Sequence, residues 1–265
     1  MVKKIVFFSG SRSEYGLQLP IIKAVNEAEE LDYFLIVSGS HLQKDFGNTI
    51  AEIRDDGLII GETVDISNNE KPPESMAISM GTAINKITKI IKILRPDVFC
   101  VYGDRYETFS AAIASTQNNI ITAHIEGGDL TEGGTHDDNT RHAITKLSHL
   151  HFATNEESYR RILAMGEEKW RVHLVGYPAL DLINNGEYAK TSNLVSELKI
   201  SLDKPLIIFT QHSISNDFKS VDKQIATSIK AIEKFINKYD AYCVITFPNN
   251  DAGGSQIINL LREFD

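Results

Sequence analysis

At 265 residues, with 42% hydrophobic and 24% charged residues, the chain has the make-up of a soluble globular protein, long enough for one large domain or two of ordinary size. Its net charge of −9 argues against general nucleic-acid binding but leaves room for a local basic pocket holding a phosphorylated small molecule. Cys100 and Cys243 each lie in an apolar run and read as buried structural thiols, which excludes a disulfide framework and gives no zinc pattern. The N-terminus, MVKKIVFFSGSR, reaches a polar turn too soon for a signal peptide, and no run approaches membrane-spanning length. A cytoplasmic protein without a membrane partner is expected.

In chain order, Lys4–Phe8 reads as a buried strand, followed by the polar turn Ser9–Gly16 and a helix from Leu17 to Glu29. Leu31–Ser38 is a second strand, ending in Gly39-Ser40-His41. A helix is expected over Lys44–Asp55, a short strand over Leu58–Val64, and a loop with Pro72-Pro73 after it. Apolar spacing of three and four predicts a long helix over Met76–Leu94, stopped at Arg95-Pro96 and apolar enough to offer a dimer face. Asp97–Tyr102 reads as a strand, Thr108–Gln117 as a helix and Asn119–Ala123 as the next strand. A helical pattern over Arg141–Leu150 leads to a strand at Leu150–Ala153, a helix at Glu156–Met165 and a strand at Val172–Val175. Strands alternating with helices predict a parallel sheet covered on both faces.

Residues 182–204 are polar and weakly periodic and read as a linker after a first domain of residues 1–181. A second unit, 205–265, opens with Pro205–Thr210, continues with a helix over Ser220–Tyr239 and a strand over Ala241–Phe247, and closes with a last helix. Two strand and helix units precede Asp265, where a doubly wound domain takes about six strands. The expectation is a chain that stops inside its second domain.

The densest chemistry lies between His124 and His142, where nineteen residues carry four glycines, five carboxylates, three histidines and an arginine. That loop follows a strand, and a second charged turn, Gly103-Asp104-Arg105, follows the strand before it. Arg12, His41, Asp104, Arg105, Glu126, Asp137, His212, Asn249 and Asp251 all lie at strand ends or just beyond. In a parallel sheet such ends share one edge, so these residues are expected to converge on one cleft. Gly10-Ser11-Arg12 suits a phosphate, through helix N-terminal amides and a guanidinium, and equally suits an ordinary helix start. His41 reads as a site residue or a polar strand terminus. Arg141 and His142 either bind an anion or pair with Asp137 and Asp138, and Asp251 by itself reads as a helix N-cap. His149 and His151 alternate on a strand and read as packing residues. No residue calls for a metal, and the lack of G-x-G-x-x-G and G-K-[ST] speaks against a dinucleotide cofactor or a P-loop.

The segments GSRSEYG, VSGSH, YGDRYET, HIEGGD, THDDNTRHAITKLSHLHF, VGYPALD, TQHS and FPNNDAGG together resemble the hydrolysing UDP-N-acetylglucosamine 2-epimerase family of sialic and legionaminic acid pathways. The resemblance runs from Lys4 to about Asp265. It implies a two-domain, glycosyltransferase-B-like architecture of Rossmann-like halves, with the second incomplete here. It also implies a nucleotide-sugar substrate without a cofactor, and a reaction through C2 deprotonation, loss of UDP to a glycal, and hydration to the free 2-epimeric sugar. By the same resemblance Asp104, Glu126, Asp137 and His212 are the catalytic positions. Arg12 and Arg105 lie near the diphosphate, His41 lines the sugar pocket, and Asn249 and Asp251 belong to the second domain's sugar-side loop; His142 joins them as a binding candidate. The Thr131–Gly134 spacing is longer than in the shorter loops common in the family. The family's later nucleotide-binding segments are not found. HIEGGD and THDD favour the hydrolysing branch over a non-hydrolysing epimerase. A non-catalytic nucleotide-sugar binding module is the alternative from another class, and a homodimer or homotetramer is expected.

Overall fold

The computed structural model describes residues 2–70, 74–131, 136–214, 220–249 and 253–264, which form two compact units, Met1–Asn185 and Gly186–Asp265. The first unit runs β1 (Lys3–Ser9), α1 (Arg12–Glu27), β2 (Leu31–Ser38), α2 (Ile50–Asp55), β3 (Ile60–Val64), α3 (Glu74–Leu94), β4 (Val98–Tyr102), α4 (Tyr106–Gln117), β5 (Ile121–Ile125), α5 (His136–Leu147), β6 (Leu150–Ala153), α6 (Glu156–Ala164), β7 (Val172–Leu174) and α7 (Ala179–Asn184). Its seven strands are ordered β3-β2-β1-β4-β5-β6-β7, and every pairing is parallel. After β1 the chain moves outward to β2, and after β4 it moves outward the other way to β5. The gap between the carboxyl ends of β1 and β4 is therefore a switch point, where such sheets leave a crevice.

Alternation along each strand divides the core between the two faces of the sheet. Val6, Phe8, Ile36, Phe99 and Val101 pack on α3 and α4 through Ala83, Ile87, Ile91, Ala111 and Ala112. Phe7, Leu35 and Val37 pack on α1 and α2 through Tyr15, Leu19, Ile22, Ile50 and Ile53. Each fully buried phenylalanine or isoleucine contributes about 1.5–3 kcal/mol relative to exposure. The apolar stripe of α3, expected to offer a dimer face, is thus buried inside this unit, leaving Ile78 and Ile93 as its exposed large residues.

Four expectations are corrected. The helix α1 starts at Arg12 rather than Leu17, because Ser11 accepts from the Glu14 amide while the Glu14 side chain accepts from Ser11 N, closing a capping box. The helix expected over Lys44–Asp55 is broken into a 3-10 turn at Lys44–Phe46 and then α2, with Gly47 and Asn48 both in left-handed backbone. The strand β5 is shifted two residues onward, so His124 and Ile125 are strand residues; Asn119, at φ 57°, belongs to the turn before it. The linker expected over 182–204 contains the end of α7 and a further helix, α8 (Thr191–Leu198).

The second unit adds β8 (Leu206–Thr210), α9 (Val221–Tyr239), β9 (Tyr242–Thr246) and α10 (Gly254–Phe264), with β8 and β9 parallel. Val221, Ile225, Ile257 and Leu261 form its buried cluster. Among the described residues no helix is long and apolar enough to cross a membrane.

Candidate active site

At the carboxyl ends of β4 and β5, four charged side chains meet. The Arg141 guanidinium, 10% exposed, donates through Nη2 to Asp104 and through Nη1 to Asp138 Oδ1 at 3.2 Å. Asp138 Oδ1 also accepts from the Thr131 amide at 2.8 Å, tying the loop after β5 to α5. Glu126, the residue after β5, has φ 64°, a conformation that a non-glycine residue adopts at a cost of about 1–2 kcal/mol. Its amide donates to Phe152 O at 3.0 Å, which holds the turn in place. Burial raises the Glu126 carboxyl above the usual range. Tyr102 and Arg141 oppose that shift, and Asp104 and Asp129 reinforce it. The buried Tyr102 hydroxyl stands beside Glu126 and Tyr177.

A buried histidine supports this cluster from below. His124 is fully enclosed, with Nε2 donating to Gly103 O at 2.8 Å and Nδ1 meeting Thr145 Oγ1 at 3.1 Å. Gly103 O can only accept, so Nε2 carries the proton and Nδ1 is bare, beside a Thr145 hydroxyl that donates to Arg141 O. Burial lowers its pKa to about 3, which keeps the ring neutral. The effect is to pin the turn that presents Asp104.

At the ends of β1 and β2 the arrangement is different. The amides of Gly10 and Ser11 donate to Glu14 Oε2 at 2.7 and 3.1 Å. These amides, expected to greet a phosphate, are already satisfied by a resident carboxylate. Glu14 Oε1 accepts from Thr108 at 2.7 Å, and burial pushes the carboxyl up to about 7, with Glu107 adding to the shift and Arg105 opposing it. Arg12 projects from the start of α1, 70% exposed, and pairs with Glu52 at 3.0 Å. Arg105 caps α4 and pairs with Glu107 at 3.3 Å.

His41, expected to line a sugar pocket, is fully buried. Its Nε2 lies 2.9 Å from Ser9 Oγ and its Nδ1 2.8 Å from Thr49 Oγ1. Since Ser9 Oγ donates to Ser11 O, Nε2 is the donor and Nδ1 accepts from Thr49. Burial lowers its pKa to about 4, and in this arrangement neither nitrogen is offered to a ligand.

Asp137 lies in the first turn of α5, where the helix dipole favours a carboxylate. His142 follows Arg141 on the same helix with a buried, unpartnered Nδ1; desolvation lowers its pKa, opposed by Asp138. In the second unit, His212 and Asn249 follow β8 and β9, and the Asn249 amide donates to His212 Nδ1 at 3.3 Å. Asp251 lies outside the described residues. His149 and His151 are internal bonding partners: His149 Nδ1 accepts from the Thr122 amide, and His151 meets Glu167 at 3.2 Å. Among the described residues no group of three His, Cys, Asp or Glu side chains is arranged for a metal ion.

Sequence reasoning passed over Glu14, Tyr102 and Glu107. The S-x-x-E capping signature at Ser11 and Glu14 was available as a signal, whereas Glu107 and Tyr102 sit in regular elements with nothing local to mark them.

A family model described as UDP-N-acetylglucosamine 2-epimerase matches residues 23–265. The chain is 31% identical to the UDP-N,N'-diacetylbacillosamine 2-epimerase (hydrolyzing) of Legionella pneumophila, over 100% of this chain and 68% of that protein. It is 32% identical to the GDP/UDP-N,N'-diacetylbacillosamine 2-epimerase (hydrolyzing) of Campylobacter jejuni, over 99% and 67%. It thus spans about two thirds of the length of these relatives. The fold is similar to that of the UDP-GlcNAc 2-epimerase of Neisseria meningitidis solved with UDP-GlcNAc, with a TM-score of 0.78 and 20% identity over 99% of this chain and 70% of that one. With its seven-stranded parallel sheet, its α/β fold of glycosyltransferase-B type and a family match along most of its length, the chain belongs to the UDP-N-acetylglucosamine 2-epimerase family.

Proposed function

We propose that the protein is a hydrolysing sugar-nucleotide 2-epimerase, converting a UDP-linked N-acetylhexosamine to the free 2-epimeric sugar and UDP. The observation that carries this reading is the pair Asp104 and Glu126 at adjacent strand ends, both in the field of Arg141, with Glu126 raised by burial. Abstraction of the weakly acidic C2 proton needs a carboxylate base held in place. As that C–H bond breaks, its electron pair forms the C1=C2 double bond and the C1–O bond to UDP breaks, giving a glycal. Water then adds its oxygen to C1, and a proton returns to C2 on the opposite face.

Charge develops at C1 as UDP departs, and nearby carboxylates stabilise it. The leaving diphosphate needs positive charge, which Arg12 and Arg105 at the β1 and β4 turns supply. Carboxyls that interact titrate as a group, so Asp104, Glu126 and Asp137 share the base and acid roles without individual assignment. A raised pKa equips Glu126 to release and recapture a proton closer to neutral pH. Within the second unit, His212 accepts from the Asn249 amide and keeps its candidacy as a catalytic residue through its match to the family's motif. His41 is better cast as a brace for the β1 turn than as a sugar ligand.

For the sugar, the names of the Legionella and Campylobacter relatives favour a UDP-2,4-diacetamido-trideoxyhexose over UDP-N-acetylglucosamine. Proton NMR in deuterated water with each substrate tests the proposal. Free 2-epimer carrying deuterium at C2, together with UDP, is the expected result. A UDP-linked epimer as the product would establish the non-hydrolysing reaction instead, and binding of either substrate without turnover would sink the enzymatic reading.

A further inference from the structure

Arg105 is gripped from behind. Its Nε donates to Glu107 Oε2 at 3.3 Å, and the two side chains are 12% and 0% exposed. Glu107 lies where the turns after β1, β2 and β4 meet. A Cβ on Gly10 would come within 3.0 Å of Glu107 Cβ, and one on Gly39 within 2.9 Å of Glu107 Oε1 and 2.4 Å of Gly10 O. Gly39 also holds φ 58°, so the β2 turn can pass this close only as glycine. Glu107 Oε1 is buried without a hydrogen-bond partner. A neutral side chain would fill the same space with less desolvation penalty. What the carboxylate adds is a charge aimed at Nε.

The neighbouring residue Thr108 donates to Glu14, which in turn receives the amides of Gly10 and Ser11. The turn after β1 and the start of α4 are therefore one hydrogen-bonded frame, built around two buried carboxylates.

We propose that Glu107 is a positioning residue that orients Arg105 toward the diphosphate of a bound nucleotide sugar, with Glu14 locking the β1 turn to the same frame. This rests on the reading of the crevice as a nucleotide-sugar site. A guanidinium held through Nε turns its Nη edge away from the holder, the edge that engages phosphate oxygens in a fork. Fixing that orientation before binding removes part of the ordering cost of association.

The test has two arms on the purified protein. In the first, the Arg105 Nε–Hε resonance is followed by nitrogen-proton NMR. Glu107→Gln is expected to accelerate its exchange with solvent by about tenfold, and unchanged exchange overturns the grip. In the second, UDP affinity is measured by calorimetry for wild type, Glu107→Gln, Arg105→Met and the double variant. Each single change is expected to weaken UDP binding about tenfold, and the double variant to bind no more weakly than Arg105→Met alone. Wild-type affinity in Glu107→Gln, or losses that multiply in the double variant, overturns the positioning role. A protected Arg105 in a protein that does not bind UDP would instead remove the nucleotide-sugar reading and leave the grip standing. Should Glu107→Gln fail to fold, Glu107→Asp keeps the charge on a shorter arm and is expected to give an intermediate loss, with wild-type affinity again overturning the role.

Discussion

Two clusters in the first unit hold almost the same chemical inventory. One joins the β1 and β4 ends with Glu14, Glu107 and Arg105; the other joins the β4 and β5 ends with Asp104, Glu126, Asp138 and Arg141. They differ in exposure. Glu107 is fully buried and Glu14 nearly so, whereas Asp104 keeps 23% of its side chain exposed and Glu126 is half-buried. A sealed carboxylate can orient its neighbours but cannot reach a substrate atom. A partly exposed carboxylate, as Asp104 beside Arg141 or Glu126 raised by burial, can exchange a proton with one. Composition alone does not separate the two clusters; exposure does.

The comparison breaks most visibly at the rim. Glu126→Gln and Asp104→Asn are each expected to lower turnover by roughly 10²–10⁴-fold with the fold intact. UDP release checks the rate and circular dichroism checks the fold, and near-wild-type rates would remove the assignment. Gly39→Ala probes the sealed cluster, since its methyl group would strike Gly10 O and Glu107 in left-handed backbone. A loss of about 1–3 kcal/mol is expected, seen as a melting temperature several degrees lower; an unchanged melt would show that the frame is loose.

Titration sharpens the contrast further. Glu14, raised from 4.5 to about 7, contributes stability that is fully present below pH 4.5 and lost as pH rises through about 7. His41 and His124, lowered from 6.5 to about 4 and about 3, act in the opposite sense: their contribution is present above pH 6.5 and lost as pH falls through those values. Between pH 4.5 and 6.5 the two histidines outweigh the opposing Glu14, and from 6.5 to about 7 only the Glu14 loss remains, so stability should peak near pH 6.5; Glu14→Gln should steepen the acid side and remove the fall above 6.5. Melting curves from pH 4 to 9 decide it, and an unaltered alkaline slope would mean that Glu14 is ionised throughout. The smallest effect is expected at the exposed Arg12–Glu52 pair. Glu52→Ala should change stability by less than about 1 kcal/mol, and a larger loss in chemical denaturation would show that the pair anchors α1 to α2.

Much of the charged edge of the sheet was legible before any coordinates. Asp104, Glu126 and Arg105 announce themselves because charge directly after an apolar β-branched run has to sit at a strand end. His41 shows why the rest was not legible. Its position after β2 is the same kind of signal, yet the ring turns inward to Ser9 and Thr49, a choice made by the end of a neighbouring strand and the start of a neighbouring helix. Arg141 was read as an anion ligand or a partner of the adjacent acids; its bond to Asp104 spans 37 positions and exists only because β4 and β5 are neighbours. The broken helix at 44–55 was missed because a left-handed pair at Gly47 and Asn48 overrides a weak helical preference.

The alternating apolar runs of this sequence by themselves determined a parallel α/β sheet, the position of its strand ends and the short list of charged residues there, since those features depend on periodicity and local chemistry. Only the tertiary structure decided which of those residues stay partly exposed and which are buried among neighbouring turns. Burial, desolvation and the pairing of Arg105 with Glu107 and Arg141 with Asp104 depend on which strands lie side by side, and strand order is set by packing over the whole chain.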